Sequence, residues 1–196
     1  MAAGELFDKR QALWRAAFTE AQPYAEFLES AAAAHRSRWA DSLSRLALTP
    51  SQRGAVAGFT RKVNVLVLAG TWCGDCARQC PMMFRIAEAS SCVDLRFMDN
   101  QANPELRDEV RVHGAARVPA AVFLSEDMLE VSRGVDRTLS AYRRKARAEL
   151  GAACDAGIVP PAPEELAQEI QEWVDLFERA HLLLRVSPFL RRRHND

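Results

Sequence analysis

The feature that most constrains this chain is a pair of cysteines placed where a buried strand gives way to a helix. The run Val63–Ala69 (VNVLVLA) is apolar and rich in β-branched residues, the pattern of a strand covered on both faces. Residues 69–83 (AGTWCGDCARQCPMM) follow, and from Met82 to Ala89 the composition turns helical. Cys73 therefore falls at or just before a helix N-terminus. Unpaired N–H groups and the helix dipole favour an anion there, so a lowered thiol pKa is expected. Cys76 lies one turn further in, near enough to close a disulfide but more covered. An outer thiolate backed by an inner resolving thiol is the arrangement that thiol–disulfide exchange requires.

Composition narrows the setting. At 196 residues the chain suits one domain with embellishments, and 48% hydrophobic with 27% charged residues is globular usage. The formal net charge is zero, so neither a nucleic-acid nor an acidic-membrane partner is expected. No apolar run approaches the ~18 residues of a membrane span. The first ten residues carry no apolar core of a secretion signal. Five thinly spread cysteines do not make a disulfide framework; one functional dithiol in a reducing cytoplasm is the expectation.

Taken in order, residues 5–21 read as a first helix with Phe7, Trp14, Phe18 and Ala21 near one face. Pro23 starts a second that runs to about Leu46 on a stripe of Leu28, Ala32, His35, Trp39, Leu43 and Leu46, with His35 read as packing. Thr49-Pro50-Ser51-Gln52 is a capping box for a short helix that stops near Gly58. Val93–Asp99 is a second strand, parallel to the first, and Pro104 opens a short helix. Val118–Ser125 and Met128–Arg133 form a hairpin about a solvated Glu126-Asp127 turn. Gly134 then ends the strand and Asp136 caps a helix to Leu150. The basic run Arg143, Arg144, Lys145 and Arg147 reads as a solvated face. A last helix from Glu164 has an apolar face of Leu166, Ile170, Trp173, Val174, Phe177, Ala180 and Leu184, before an exposed, fraying tail from Pro188.

Trp72-Cys73-Gly74-Asp75-Cys76 resembles the WCxxC active site of the thioredoxin family. Two further features agree with it: Pro81, five residues after Cys76, and residues 117–124 (RVPAAVFL), about forty residues downstream, which resemble the strand that the family begins with a cis-proline. The likeness covers roughly Lys62 to Leu150, and the flanks look most like a bacterial group with helical additions at both ends. It implies an α/β thioredoxin fold, a central mixed sheet flanked by helices. Residues 1–60 would be a helical extension, 61–150 the thioredoxin-like domain, 151–163 a linker, and 164–196 a C-terminal helix and tail. The extension reads as a packed brace, with a lid or docking surface as the alternative.

The resemblance also implies an enzyme, a thiol–disulfide oxidoreductase without a cofactor. Cys73 would be the nucleophile and Cys76 the resolving thiol. Trp72, Gly74, Asp75, Val118 and Pro119 would form the substrate surface. The partners would be a disulfide-containing protein or a low-molecular-weight thiol, with a thiol reductase as electron donor. Two departures stand out. Val67 and Phe97, or its neighbour, occupy positions where thioredoxins carry a buried aspartate and a lysine, and Asp75 replaces the common proline. Asp75 adds a negative charge that opposes the thiolate, or else accepts a proton from Cys76. Cys80, one turn beyond Cys76, reads as a buried hydrophobe, a second resolving thiol, or the third ligand of a Cys73/Cys76/Cys80 metal or cluster site. That site, and a non-catalytic interaction module, stand as alternative functions.

Overall fold

Strand β1 (Val63–Ala69) is buried along its whole length, as its unbroken apolar run requires, and the other elements are arranged about it. The computed structural model describes residues 7–150 and 163–195. In it β1 pairs in parallel with β2 (Val93–Asp99) and antiparallel with β3 (Ala120–Leu124). β3 in turn pairs antiparallel with β4 (Glu130–Val135), giving a mixed four-stranded sheet in the order β2-β1-β3-β4. The parallel pair is joined through a helix, α5 (Gly74–Glu88), as parallel pairing demands.

Side chains alternate across the sheet with a period of two, so each strand feeds both faces. On one face Val63, Val65, Val67, Phe97 and Phe123 share an apolar cluster with residues of α2 (Tyr24–Glu29), α3 (Ala33–Ser44), α4 (Pro50–Ala57), α5 and α8 (Pro163–Val186). On the other, Leu66, Leu68, Met98 and Val122 are covered by Trp14 and Phe18 of α1 (Gln11–Glu20) and Leu106 of α6 (Pro104–Glu109). This is the expected thioredoxin fold, with extra helices at both ends. The segment between α1 and α2 also touches the sheet edge: Gln22 and Phe97 exchange N–H···O bonds of 2.8 and 2.7 Å.

Local signals placed several boundaries well. Thr49 makes both halves of its capping box with Gln52, at 3.0 and 3.2 Å. The stripe on α8 is buried at Ile170, Trp173, Val174, Phe177, Ala180 and Leu184. Elsewhere long-range contacts overrode the local pattern. α1 starts at Gln11 rather than residue 5, because Asp8 turns the chain by accepting N–H groups of Arg10 and Gln11; Phe7 is left 87% exposed. The helix foreseen from Pro23 to Leu46 is two helices, broken at residues 30–32, where the Arg36 guanidinium takes up the carbonyls of Glu29 and Ala31.

β4 runs through Gly134 to Val135 instead of stopping there. Glycine is required at that point, since a Cβ would lie 2.9 Å from both Trp173 and Leu176 of α8. Asp136 is not a helix cap. It sits in the left-handed region at φ 67°, and Thr138 caps α7 (Leu139–Leu150) by accepting the Ala141 N–H at 3.3 Å. The tail forms α9 (Pro188–His194), which buries Leu190 and covers the acidic turn: Arg193 lies 3.2 Å from Asp127, and His194 3.7 Å from Glu126. Arg144 also leaves the solvated face foreseen for it, 3.5 Å from Glu169. The expected linker lies outside the described residues, apart from Pro163, which opens α8.

Candidate active site

Cys73 is the N-cap of α5, and its sulfur accepts the N–H of Cys76 at 3.4 Å. A sulfur in that position takes up one of the donors that a helix start leaves unpaired. Cys73 is half-buried and Cys76 wholly buried, and both are free thiols. The Cys76 sulfur in turn accepts the Gly70 N–H at 3.5 Å. The outer and inner thiols are therefore arranged as their spacing foretold.

The remaining expected site residues gather about the Cys73 sulfur. The Val118–Pro119 peptide is cis, and the Val118 carbonyl lies 3.8 Å from Cys73 Sγ. Trp72 is 52% exposed and lies over Gly70, where a Cβ would stand 2.7 Å from its ring. Gly74 opens α5 in free space, with nothing within 4 Å of a would-be Cβ. Val67 and Phe97 are both fully buried in the apolar cluster that also holds Cys76 and packs against Cys73.

Asp75 has a partner that the sequence did not show: its carboxylate is held in a two-pronged ion pair by Arg137, at 3.1 and 2.5 Å, so its charge is compensated. Arg137 itself is fixed by its surroundings. The preceding Asp136 donates its N–H to Pro119 O at 2.8 Å, accepts Gln79 Nε2 on its carbonyl at 2.8 Å, and binds the Tyr142 hydroxyl with its carboxylate.

The thiol pKa values also differ from the sequence expectation. Cys73 is pushed up, first by its hydrogen bond with the Cys76 thiol and then by burial, while the amides of Cys76 and Asp75 pull the other way. Cys76 is pushed up chiefly by burial, with Cys80 adding to the effect. The helix start does supply donors to Cys73, but a second sulfur and lost solvation outweigh them. Ionising one thiol of the pair opposes ionising the other.

Two contacts missing from the sequence reading hold this turn from outside. The Trp39 indole N–H of α3 donates to Thr71 O at 3.0 Å, just ahead of Trp72. Arg78 of α5 grips Glu169 of α8, at 3.1, 2.9 and 2.5 Å, and Glu169 is fully buried. Trp39 lay on a recognised apolar stripe, but nothing local revealed its bond; the partners of Glu169 and Arg137 are too distant in sequence to be read. Cys80 is fully buried on the face of α5 that carries Cys76. Among the described residues no group of three or more His, Cys, Asp or Glu side chains is placed to hold a metal ion, so the Cys73/Cys76/Cys80 metal alternative gains no geometry. Cys92 is turned to the Phe59 carbonyl at 3.1 Å.

Comparisons with known proteins agree with the fold. A family described as thioredoxin matches residues 21–141, which takes in α2 to α4 as well as the sheet. No curated protein matches the sequence. Among solved structures, a protein of unknown function from Pseudomonas aeruginosa superposes with a TM-score of 0.66 at 16% identity, covering 86% of this chain and 94% of that one. An HIV epitope scaffold superposes at 0.61, also at 16% identity, over 88% and 98% of the two chains. At such identities the likeness speaks for the fold. Among the described residues no helix is long and apolar enough to cross a membrane.

Proposed function

The chain belongs to the thioredoxin family, and from that premise we propose that it is a thiol–disulfide oxidoreductase working through Cys73 and Cys76. The observation that carries the reading is the Cys73 sulfur at the helix N-cap, facing the Val118 carbonyl beside a cis-proline, with Cys76 directly behind it. The Cys73 thiolate attacks one sulfur of a substrate disulfide, forming a mixed disulfide and releasing the other sulfur as a thiol. Cys76 then gives up its proton and attacks the Cys73 sulfur. The Cys73–Cys76 disulfide forms, the second substrate thiol leaves, and two electrons have passed to the substrate. A thiol reductase or a low-molecular-weight thiol returns the enzyme to the dithiol.

Val118 and Pro119 receive an extended substrate segment beside the sulfur, in the manner of an added strand. Trp72 and the open space at Gly74 shape the approach, and the Arg137-bound Asp75 forms its far edge. Both thiols are pushed toward their protonated forms, which destabilises thiolate relative to disulfide and favours a reductant over a strong oxidant. A reducing cytoplasm is the setting that suits that use.

The test is insulin-disulfide reduction with dithiothreitol. Wild type and Cys80→Ser should be active, and Cys73→Ser inactive. The wild-type rate should climb as pH rises through the alkaline range, because the raised Cys73 leaves little thiolate at neutrality. An inactive wild type that co-purifies with a metal lost in Cys80→Ser would sink this reading.

A further inference from the structure

We propose that Arg137 is a positioning residue for Cys73: it clamps Asp75 inside the Cys73–Cys76 turn and cancels a charge that would otherwise oppose ionisation of the Cys73 sulfur. The inference rests on the reading of Cys73 as the reacting thiol.

Asp75 acts on that sulfur in two opposed ways. Its main-chain N–H favours the thiolate, while its carboxylate, two residues along a helix start, carries a like charge. A proline at this position would bring neither. Arg137 separates the two effects, since it binds both carboxylate oxygens and leaves the amide in place.

The clamp is pre-built. Its side chain is 20% exposed, with Asp136 3.6 Å away and the Tyr142 ring 5.9 Å from its guanidinium carbon. Residue 136 is tied to Pro119 on one side and to Gln79 of α5 on the other. The residue ahead of Arg137 thus links the cis-proline and the helix that carries the thiols, and Arg137 adds its own bond to Asp75 of that helix. Arg78 and Arg144 are also at this end of α5 and share the one buried Glu169 carboxylate. The Asp136 carboxylate takes the Tyr142 hydroxyl. The Asp75–Arg137 pair is the ion pair seated at the Cys73–Cys76 turn, and it acts on Cys73 alongside the Cys76 thiol and burial.

The experiment follows Cys73 alkylation by iodoacetamide against pH on the full chain, located by mass spectrometry, with folding checked by circular dichroism. Arg137→Gln should move the midpoint of the profile up by about one pH unit and slow alkylation about tenfold at neutral pH. Arg137→Lys should restore most of the loss. Asp75→Asn should move the midpoint down, and Asp75→Asn combined with Arg137→Gln should return it to the wild-type position. Unchanged profiles in Arg137→Gln and Asp75→Asn would overturn the proposal, as would a loss in Arg137→Gln that the added Asp75→Asn does not reverse. If Arg137→Gln fails to fold, Asp75→Asn alone decides by the direction of its change. Alkylation reads the thiol without any disulfide substrate, so an inactive insulin assay and a flat charge response are separable failures.

Discussion

Helix α3 reaches the active-site turn from the N-terminal side of the chain, through a fully buried indole whose single hydrogen bond ends on Thr71 O. Helix α8 reaches the same region from the C-terminal side, through the buried Glu169 carboxylate bound by Arg78 and approached by Arg144. The first brace is mostly apolar contact: Trp39 packs against Tyr24 and Phe27 at ring distances of 5.8 and 5.9 Å. The second is mostly charge. Apolar burial scales with area removed from water and is little affected by salt, whereas a buried carboxylate depends on its partners staying in place. The two flanks should therefore fail in different ways.

The largest effect is expected at Trp39. Trp39→Ala should cost about 3–5 kcal/mol in urea denaturation, the range for emptying a buried aromatic site, and 1 M salt should not change the gap. Trp39→Phe keeps much of the packing but abandons Thr71, and should lower insulin reduction more than stability. A loss as small as that of a surface substitution would deny α3 its bracing role.

A smaller loss is expected at Glu169. Glu169→Gln keeps the shape but removes the charge from between two arginines, at about 2 kcal/mol; this lies below the usual cost of splitting a buried pair, because the Arg78 and Arg144 side chains are 22% and 40% exposed. The gap should narrow only slightly in 1 M salt, because a buried carboxylate is screened little, and no gap at all would show that α8 braces by packing alone.

The smallest effect sharpens the same contrast within α8. His181 accepts the N–H groups of Thr60 and Arg61 at 3.0 and 3.3 Å and stacks on Phe59, which requires the neutral ring. Burial holds its pKa below the ordinary value of 6.5, with Arg185 and Arg61 acting the same way and Glu178 against. A lowered folded value means that the unfolded chain takes up the proton first. Stability is then full above 6.5 and falls as pH drops below it, by at most about 1.4 kcal/mol per pH unit. Urea midpoints at pH 7 and pH 5 should show that decline, and His181→Asn should flatten it. An identical decline in the variant would place the sensitivity elsewhere.

How far the sequence carried depended on the range of the interactions involved. β1, the Thr49 box, the α8 stripe and the placing of Cys73 at a helix start are set by residues within a few positions of one another, and each stands where the pattern put it. The cis Val118–Pro119 bond and its approach to Cys73 followed from the family resemblance. Asp136 shows the opposite case. An aspartate ahead of a helical run is ordinarily a cap, but here the chain turns left-handed to tie Pro119, Gln79 and Tyr142 together.

The sequence by itself thus determined the alternation of strand and helix, the thioredoxin fold and the two cysteines at the head of α5, because periodicity, caps and spacing are local and additive. The tertiary structure decided what surrounds those cysteines. Arg137 lies 62 positions from Asp75, and Glu169 lies 91 from Arg78; such pairings exist only once the sheet has brought its ends together. It also decided the sign of the Cys73 pKa change. A helix dipole can be read from a sequence, but the burial and the neighbouring sulfur that outweigh it arise only in the folded chain.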